Sequence, residues 1–229
     1  MTLHEQAEHI IQTAIRASLP DHAVYAALKD KNFGDGRIVL IAVGKGAWQM
    51  AKAACDLLGD RISHGVAVTK YNHVKGPLEG ITCYEGGHPY PDDNSFAGTQ
   101  AALDAVRDLK EEDTVLFLLS GGGSALFEQP LIDKEELTDI TGQLLACGAD
   151  IVEINMIRKR LSAVKGGRFA ALCAPAKVYG IVLSDVLGDR LDTIASGPTC
   201  PDSSTCRETE TIVEKYGLTM SEKAKACLK

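Results

Sequence analysis

Four loops in this sequence combine glycine with charged or hydroxyl side chains in patterns that could do chemistry. In Ser120-Gly121-Gly122-Gly123-Ser124, three successive glycines let the backbone turn sharply and bring its N–H groups close to a ligand. Successive N–H groups form a concave nest that suits an anion, although the same residues would also make a flexible surface loop. Gly44-Lys45-Gly46 sets a full positive charge between two glycines. It reads either as an anion site beside the amino end of the next helix or as a tight turn with a solvated lysine. Lys165-Gly166-Gly167-Arg168 flanks two glycines with cations that could clamp a carboxylate or phosphate, or could simply hinge. Finally, Asp185, Asp189 and Asp192 place three carboxylates within eight residues. Carboxylates suit a hard cation such as Mg²⁺, or a general base, while turn capping is the commoner use of loop aspartates. His88, in Gly86-Gly87-His88-Pro89, reads as a structural or solvated turn histidine.

Several chemistries are disfavoured. No Walker A pattern occurs. Neither glycine loop completes a dinucleotide fingerprint, because Gln49 and Leu126 stand where the third glycine belongs. No Ser-His-Asp or Cys-His arrangement stands out. The seven cysteines form no metal-ligand spacing and point to reduced thiols. A net charge of -7, from 24 basic and 31 acidic residues, weighs against nucleic-acid binding. The amino-terminal stretch lacks the apolar core of a signal peptide, and no run approaches membrane-spanning length. The expectation is a cytoplasmic protein, away from nucleic acid and membranes, that binds an anionic and phosphorylated small molecule.

The elements that must position these loops follow from periodicity. Val115–Leu119 is an unbroken apolar run, as in a strand buried on both faces. Further strands are expected at 37–43, 64–69, 81–84 and 177–183. Helical spacing of Leu3, Ala7, Ile10, Ile11, Ala14, Ile15 and Leu19 predicts a first helix with an apolar face. Asp21 is the expected N-cap of a helix to Leu28, and Ser95 or Asn94 that of a helix to Leu109. Asp133, with Glu136 closing a capping box, is expected to start a helix from Lys134 to Ala146. Further helices are expected at 47–58, 150–161, 165–172 and 205–216, with a last segment from Ser221. Strands alternating with helices predict an α/β fold: a doubly wound three-layer α/β/α domain with a mainly parallel sheet. The carboxyl ends of parallel strands share one edge, so the four loops should converge there.

Taken in order, AVGKGAWQMAKA (42–53), GGHPYPDDNS (86–95), FLLSGGGSALFEQP (117–130), LSAVKGGRFA (161–170) and IVLSDVLGDRLDTIASGPTCPD (181–202) resemble the type II glycerate kinases. The second half of that family is called the MOFRL domain. The resemblance implies ATP-dependent phosphorylation of D-glycerate, usually to 2-phosphoglycerate, with a divalent metal such as Mg²⁺. Some members carry the name hydroxypyruvate reductase. An NAD(P)H-dependent reductase therefore stays open as an alternative, disfavoured by the incomplete glycine fingerprints. A non-catalytic remnant that binds an anion or a partner also stays open. The resemblance implies that Lys45 lies near the substrate or the transferring phosphate. It implies that Ser120, Gly121, Gly122, Gly123 and Ser124 cradle nucleotide phosphates. Asp185 and Asp189 would stand at the metal or the substrate hydroxyl, and Gly44, Lys165 and Arg168 at the substrate. Family members are about twice as long, with their active site between two α/β domains. Residues 1–229 are accordingly expected to form the amino-terminal Rossmann-like domain, with the MOFRL domain absent. Such a chain would supply half a site and be weakly active or inactive alone, its open side covered by a second domain or by a second copy.

Overall fold

The computed structural model describes residues 1–184, 186 and 188–229. Five strands, β1 (Ile38–Val43), β2 (Ile62–Lys70), β3 (Ile81–Gly86), β4 (Thr114–Leu119) and β5 (Lys177–Val182), form one sheet in the order β3-β2-β1-β4-β5. Every strand pairing is parallel. Ten helices accompany the sheet among the described residues: α1 (Leu3–Ala17), α2 (Pro20–Leu28), α3 (Ala47–Leu58), α4 (Asp93–Ala105), α5 (Gly123–Leu126), α6 (Lys134–Ala146), α7 (Ile151–Leu161), α8 (Arg168–Leu172), α9 (Cys206–Tyr216) and α10 (Glu222–Cys227). The architecture is the expected three-layer α/β/α domain.

Side-chain alternation along the strands divides the core. Val39, Ile41 and Val43 of β1, with Val115, Phe117 and Leu119 of β4, pack against α4, α5 and α8. Ile38, Leu40, Ala42, Leu116 and Leu118 face α2 and α3 on the other side. Every residue of β1 and β4 is buried, which is why both read as continuous apolar runs. Four helices, α6, α7, α9 and α10, form a third apolar cluster of their own.

The chain leaves β1 toward β2 and β3 on one side and returns to β4 and β5 on the other. The connections diverge between β1 and β4, which makes the carboxyl edge there a topological switch point. At the opposite edge the same two strands are tied shut. The Arg37 guanidinium lies 2.6 Å from Asp113, and Asp113 also accepts the amides of Arg37 and Lys110, each at 2.9 Å. These donors, the Arg37 side chain foremost, hold the Asp113 carboxyl well below the usual range.

Local structure departs from expectation at several points. No residue of α1 is buried, and Leu3, Ile10, Ile11 and Ile15 of its apolar face are exposed. Periodicity reveals which face could be covered, not whether anything covers it. Helix α2 starts at Pro20, whose missing N–H costs nothing at the first helical position, so Asp21 lies inside the helix. Helix α4 is capped by Asp92, with Ser95 as the reciprocal partner, and ends at Ala105. Asp133 makes no side-chain cap bond. Glu136 instead accepts the Ser221 amide at 2.6 Å and its hydroxyl at 3.0 Å, joining α6 to the start of α10. Strand β5 is a half-exposed edge strand. The Lys165–Arg168 loop follows helix α7, not a strand, and α8 begins only at Arg168. No helix among the described residues is long and apolar enough to cross a membrane.

Candidate functional site

Because β1 and β4 are neighbours, the turn after β1 and the glycine loop after β4 lie side by side. The Lys45 amide donates to the Gly121 carbonyl at 2.9 Å, and the Ser120 amide to the Val43 carbonyl at 2.9 Å. The Ser120 hydroxyl accepts from the Gly46 amide at 2.9 Å and donates to the Val43 carbonyl at 3.2 Å. Ser120 is 3% exposed, so its side chain clasps the two turns from within. Gly44 has φ 110°, and a Cβ there would stand 2.4 Å from the Ser120 carbonyl oxygen. The close approach of the two turns therefore needs glycine.

Gly122 is left-handed at φ 89°. A Cβ on it would meet His88 Cδ2 and Nε2 at 2.9 and 3.0 Å and Lys45 Cε at 3.1 Å. Two side chains from different strand ends thus converge on this glycine. Among the described residues, the amides of Gly121, Gly122, Gly123 and Ser124 have no hydrogen-bond acceptor. They form an open nest beside the amino end of α3, whose N-cap is Gly46.

The corner is positively charged. Lys45 is exposed, and its ammonium pairs with no described residue. Its backbone is held firmly, with its carbonyl 2.9 Å from His73 Nδ1 and accepting the Thr69 hydroxyl at 3.3 Å. Burial pushes the His88 imidazole below its ordinary pKa, and the charges of Lys45 and Lys70 push it further. Asp92, in the loop that carries His88, is committed elsewhere: Tyr71 donates its hydroxyl at 2.6 Å and Ser95 its amide at 2.9 Å. Burial alone would raise the Asp92 carboxyl, but the hydrogen bonds from Tyr71, Gly87 and Ser95 outweigh it and hold the group at about 2.

The structure corrects the expected surroundings of two cations. Lys165 is fully buried. Its ammonium donates to the Ser124 and Phe127 carbonyls at 3.0 and 2.9 Å and lies 3.3 Å from the equally buried Glu128. Burial pushes its pKa down to about 8, against the attraction of Glu128. It supports the glycine loop from inside and is not presented at the edge. Arg168 reaches back to the carbonyls of Lys159 and Ser162, where it satisfies the end of α7. The glycines between them dock on another loop: the Gly166 and Gly167 amides donate to Ser196 and Gly197 at 2.9 and 2.8 Å.

In the aspartate loop, Asp192 meets Lys159 at 3.7 Å and Arg190 at 3.2 Å. Asp189 is exposed, with its amide on the Val186 carbonyl. Asp185 lies outside the described residues. No three His, Cys, Asp or Glu side chains converge as metal ligands among the described residues. The structure therefore brings Gly44, Lys45 and Ser120–Ser124 together, and gives Lys165 and Arg168 internal partners. Two neighbours of Lys45 escaped the sequence reading as site residues. Lys70 is the last residue of β2, and His88 lies just beyond Gly86, the last residue of β3. Both stand on the edge that parallel pairing makes common to all strands, so the strand-end rule that selected Lys45 selects them too.

Known proteins are similar to this chain in sequence and in fold. A D-glycerate 2-kinase of Thermotoga maritima is 52% identical over 229 residues, spanning 99% of this chain and 54% of the relative. A glycerate 2-kinase of Pyrococcus horikoshii is 41% identical over 230 residues, spanning 95% of this chain and 51% of the relative. The crystal structure of a glycerate kinase from Thermotoga maritima, 52% identical, superposes with a TM-score of 0.93 over 99% of this chain and 55% of that one. The chain thus spans about half the length of the curated relatives it matches. The model of DUF4147, a domain of unknown function, matches residues 6–229, and the chain belongs to that family.

Proposed function

We propose that this chain supplies one side of a phosphoryl-transfer site in which D-glycerate is phosphorylated by ATP to 2-phosphoglycerate. The observation that carries the reading is the convergence at the switch point of Lys45, whose ammonium pairs with no described residue, with the open amides of Gly121–Ser124. Phosphoryl transfer asks a protein chiefly for positioning and neutralisation of charge. The amide nest and the amino end of α3 fit phosphate oxygens. Lys45 adds a mobile point charge for the transferring group or the substrate. Gly44 and Ser120 hold the two turns together so that Lys45 stands beside the nest. When bound, ATP supplies the phosphoryl group. Mg²⁺ commonly takes one or two carboxylates and completes its shell with phosphates and water. Asp189 and Asp185 are the carboxylates assigned to it or to the substrate hydroxyl in this reading.

Support comes also from the names of the relatives, which are glycerate kinases about twice as long as this chain. Lys165 and Arg168 act as scaffolding beneath the site in this reading. The seven cysteines are all free thiols, which agrees with a reducing, cytoplasmic setting.

The test supplies ATP, Mg²⁺ and D-glycerate to the chain alone and to the chain mixed with a polypeptide covering the other half of the Thermotoga maritima relative. The product is identified by ³¹P NMR. The mixture is expected to form 2-phosphoglycerate, the chain alone to form little, and Lys45→Ala to remove the activity. Oxidation of NADH by hydroxypyruvate, with no phosphoglycerate formed, would replace the kinase reading by the reductase one.

A further inference from the structure

His88 makes no hydrogen bond with any described residue, yet its ring is part-buried against Gly122 with Nε2 turned to the glycine loop. The groups facing it are cationic: Lys45 from the turn after β1 and Lys70 from the end of β2. The acidic residues of its own loop do not balance them. Asp92 is held by Tyr71 and Ser95, and Asp93 pairs with Lys134 at 2.6 Å. An imidazole with two ammonium groups near it and no carboxylate partner among the described residues is kept neutral while the corner holds no ligand. A doubly charged anion on the Gly121–Ser124 amides would reverse the field at the ring. An imidazolium there gains a short charge-assisted hydrogen bond and loses its repulsion from the lysines. A singly charged carboxylate would leave the corner net positive.

We propose that His88 is a direct ligand of a dianionic phosphoryl group at the glycine loop, and that it takes up a proton as that group binds. The proposal rests on the phosphate-cradle reading of the loop and adds a ligand, a charge state and a proton to it. It makes this corner selective for phosphoryl over carboxylate groups and makes binding weaken as pH rises.

Sulfate is the probe, because its charge stays constant across the range in which histidine titrates, and acetate is the monoanionic control. Binding to the 229-residue chain is followed by calorimetry and by amide and histidine NMR between about pH 6 and about pH 8. Sulfate is expected to shift the Gly121–Ser124 amides, to bind on the order of tenfold more tightly at the lower pH, and to raise the titration midpoint of the His88 ring. His88→Gln should remove the pH dependence while leaving weaker binding, and His73→Gln should retain it. Sulfate binding at the loop with a pH dependence that survives His88→Gln, or with an unmoved His88 titration, overturns the proposal and leaves the phosphate cradle standing. If sulfate shifts no amide of Gly121–Ser124, the cradle falls and the proposal falls with it.

Discussion

Lys45 and Lys165 each sit beside glycines in loops of similar composition, and the fold sends them in opposite directions. Lys45 follows a buried strand and emerges at the edge of the sheet, exposed and without an ion pair among the described residues. Lys165 follows helix α7 and turns inward, onto two carbonyls and Glu128. The physics of each site matches its surroundings. A cation can stay unpaired where water solvates it, and its charge is then available to a ligand. A fully buried cation must find compensation in place. Lys165 therefore holds the loop up from below, and Lys45 stands ready above it.

The largest effect that would break this comparison lies at Lys165. Lys165→Met would remove the ammonium 3.3 Å from Glu128, a buried carboxylate whose two oxygens already have no hydrogen-bond partner among the described residues. The expected cost is about 3–5 kcal/mol in urea unfolding, and adding Glu128→Gln should recover a large part. A wild-type unfolding midpoint for the single variant would show that the pair is not structural. Next is Gly122→Ala, which forces a left-handed alanine against the His88 ring. A loss of about 2 kcal/mol is expected, together with loss of the sulfate-induced amide shifts. Ser120→Ala removes the clasp between the turns and should cost about 1 kcal/mol, measured by the same unfolding curves.

The smallest stability effect belongs to Lys45. Lys45→Met should change stability by less than about 0.5 kcal/mol while abolishing sulfate binding and kinase activity. The same variant has a signature in pH. His88 titrates below its ordinary value in the folded chain, after burial partly because of Lys45. The neutral ring is therefore favoured by folding. The associated stability is present above the unfolded pKa and is lost as pH falls through the depressed folded value. Lys45→Met should raise the His88 midpoint toward that of a free imidazole and lessen this acid loss, as histidine NMR and unfolding at low pH would show. An unmoved His88 midpoint would mean that the two side chains do not share a field.

Legibility followed the range of the forces involved. The runs of β1 and β4 were readable because both strands are buried on both faces, leaving no polar alternation. The helix at 150–161 was readable from its pattern, and Asp150 proves to be its cap, with its partner Glu153 three residues away. Glu136 looked like the same device but bonds to Ser221, a partner whose proximity depends on how α6 and α10 pack. The apolar face of α1 was correctly located, yet no residue of that helix is buried, since periodicity carries no information about a partner. His88 looked like an ordinary turn residue because its neighbours, Lys45 and Gly122, come from other strands.

By itself the residue order determined that apolar runs end in glycine turns, that strands and helices alternate, and that cations and hydroxyls cluster in those turns. These are local properties, set by backbone freedom and by burial period. The tertiary structure alone decided which lysine faces water, which is locked to a carboxylate, and which histidine meets the glycine loop. The free energy of a charge depends on what surrounds it in space. For Lys45 that is His88 and Gly122 under open solvent, and for Lys165 it is Ser124, Phe127 and Glu128 in the core.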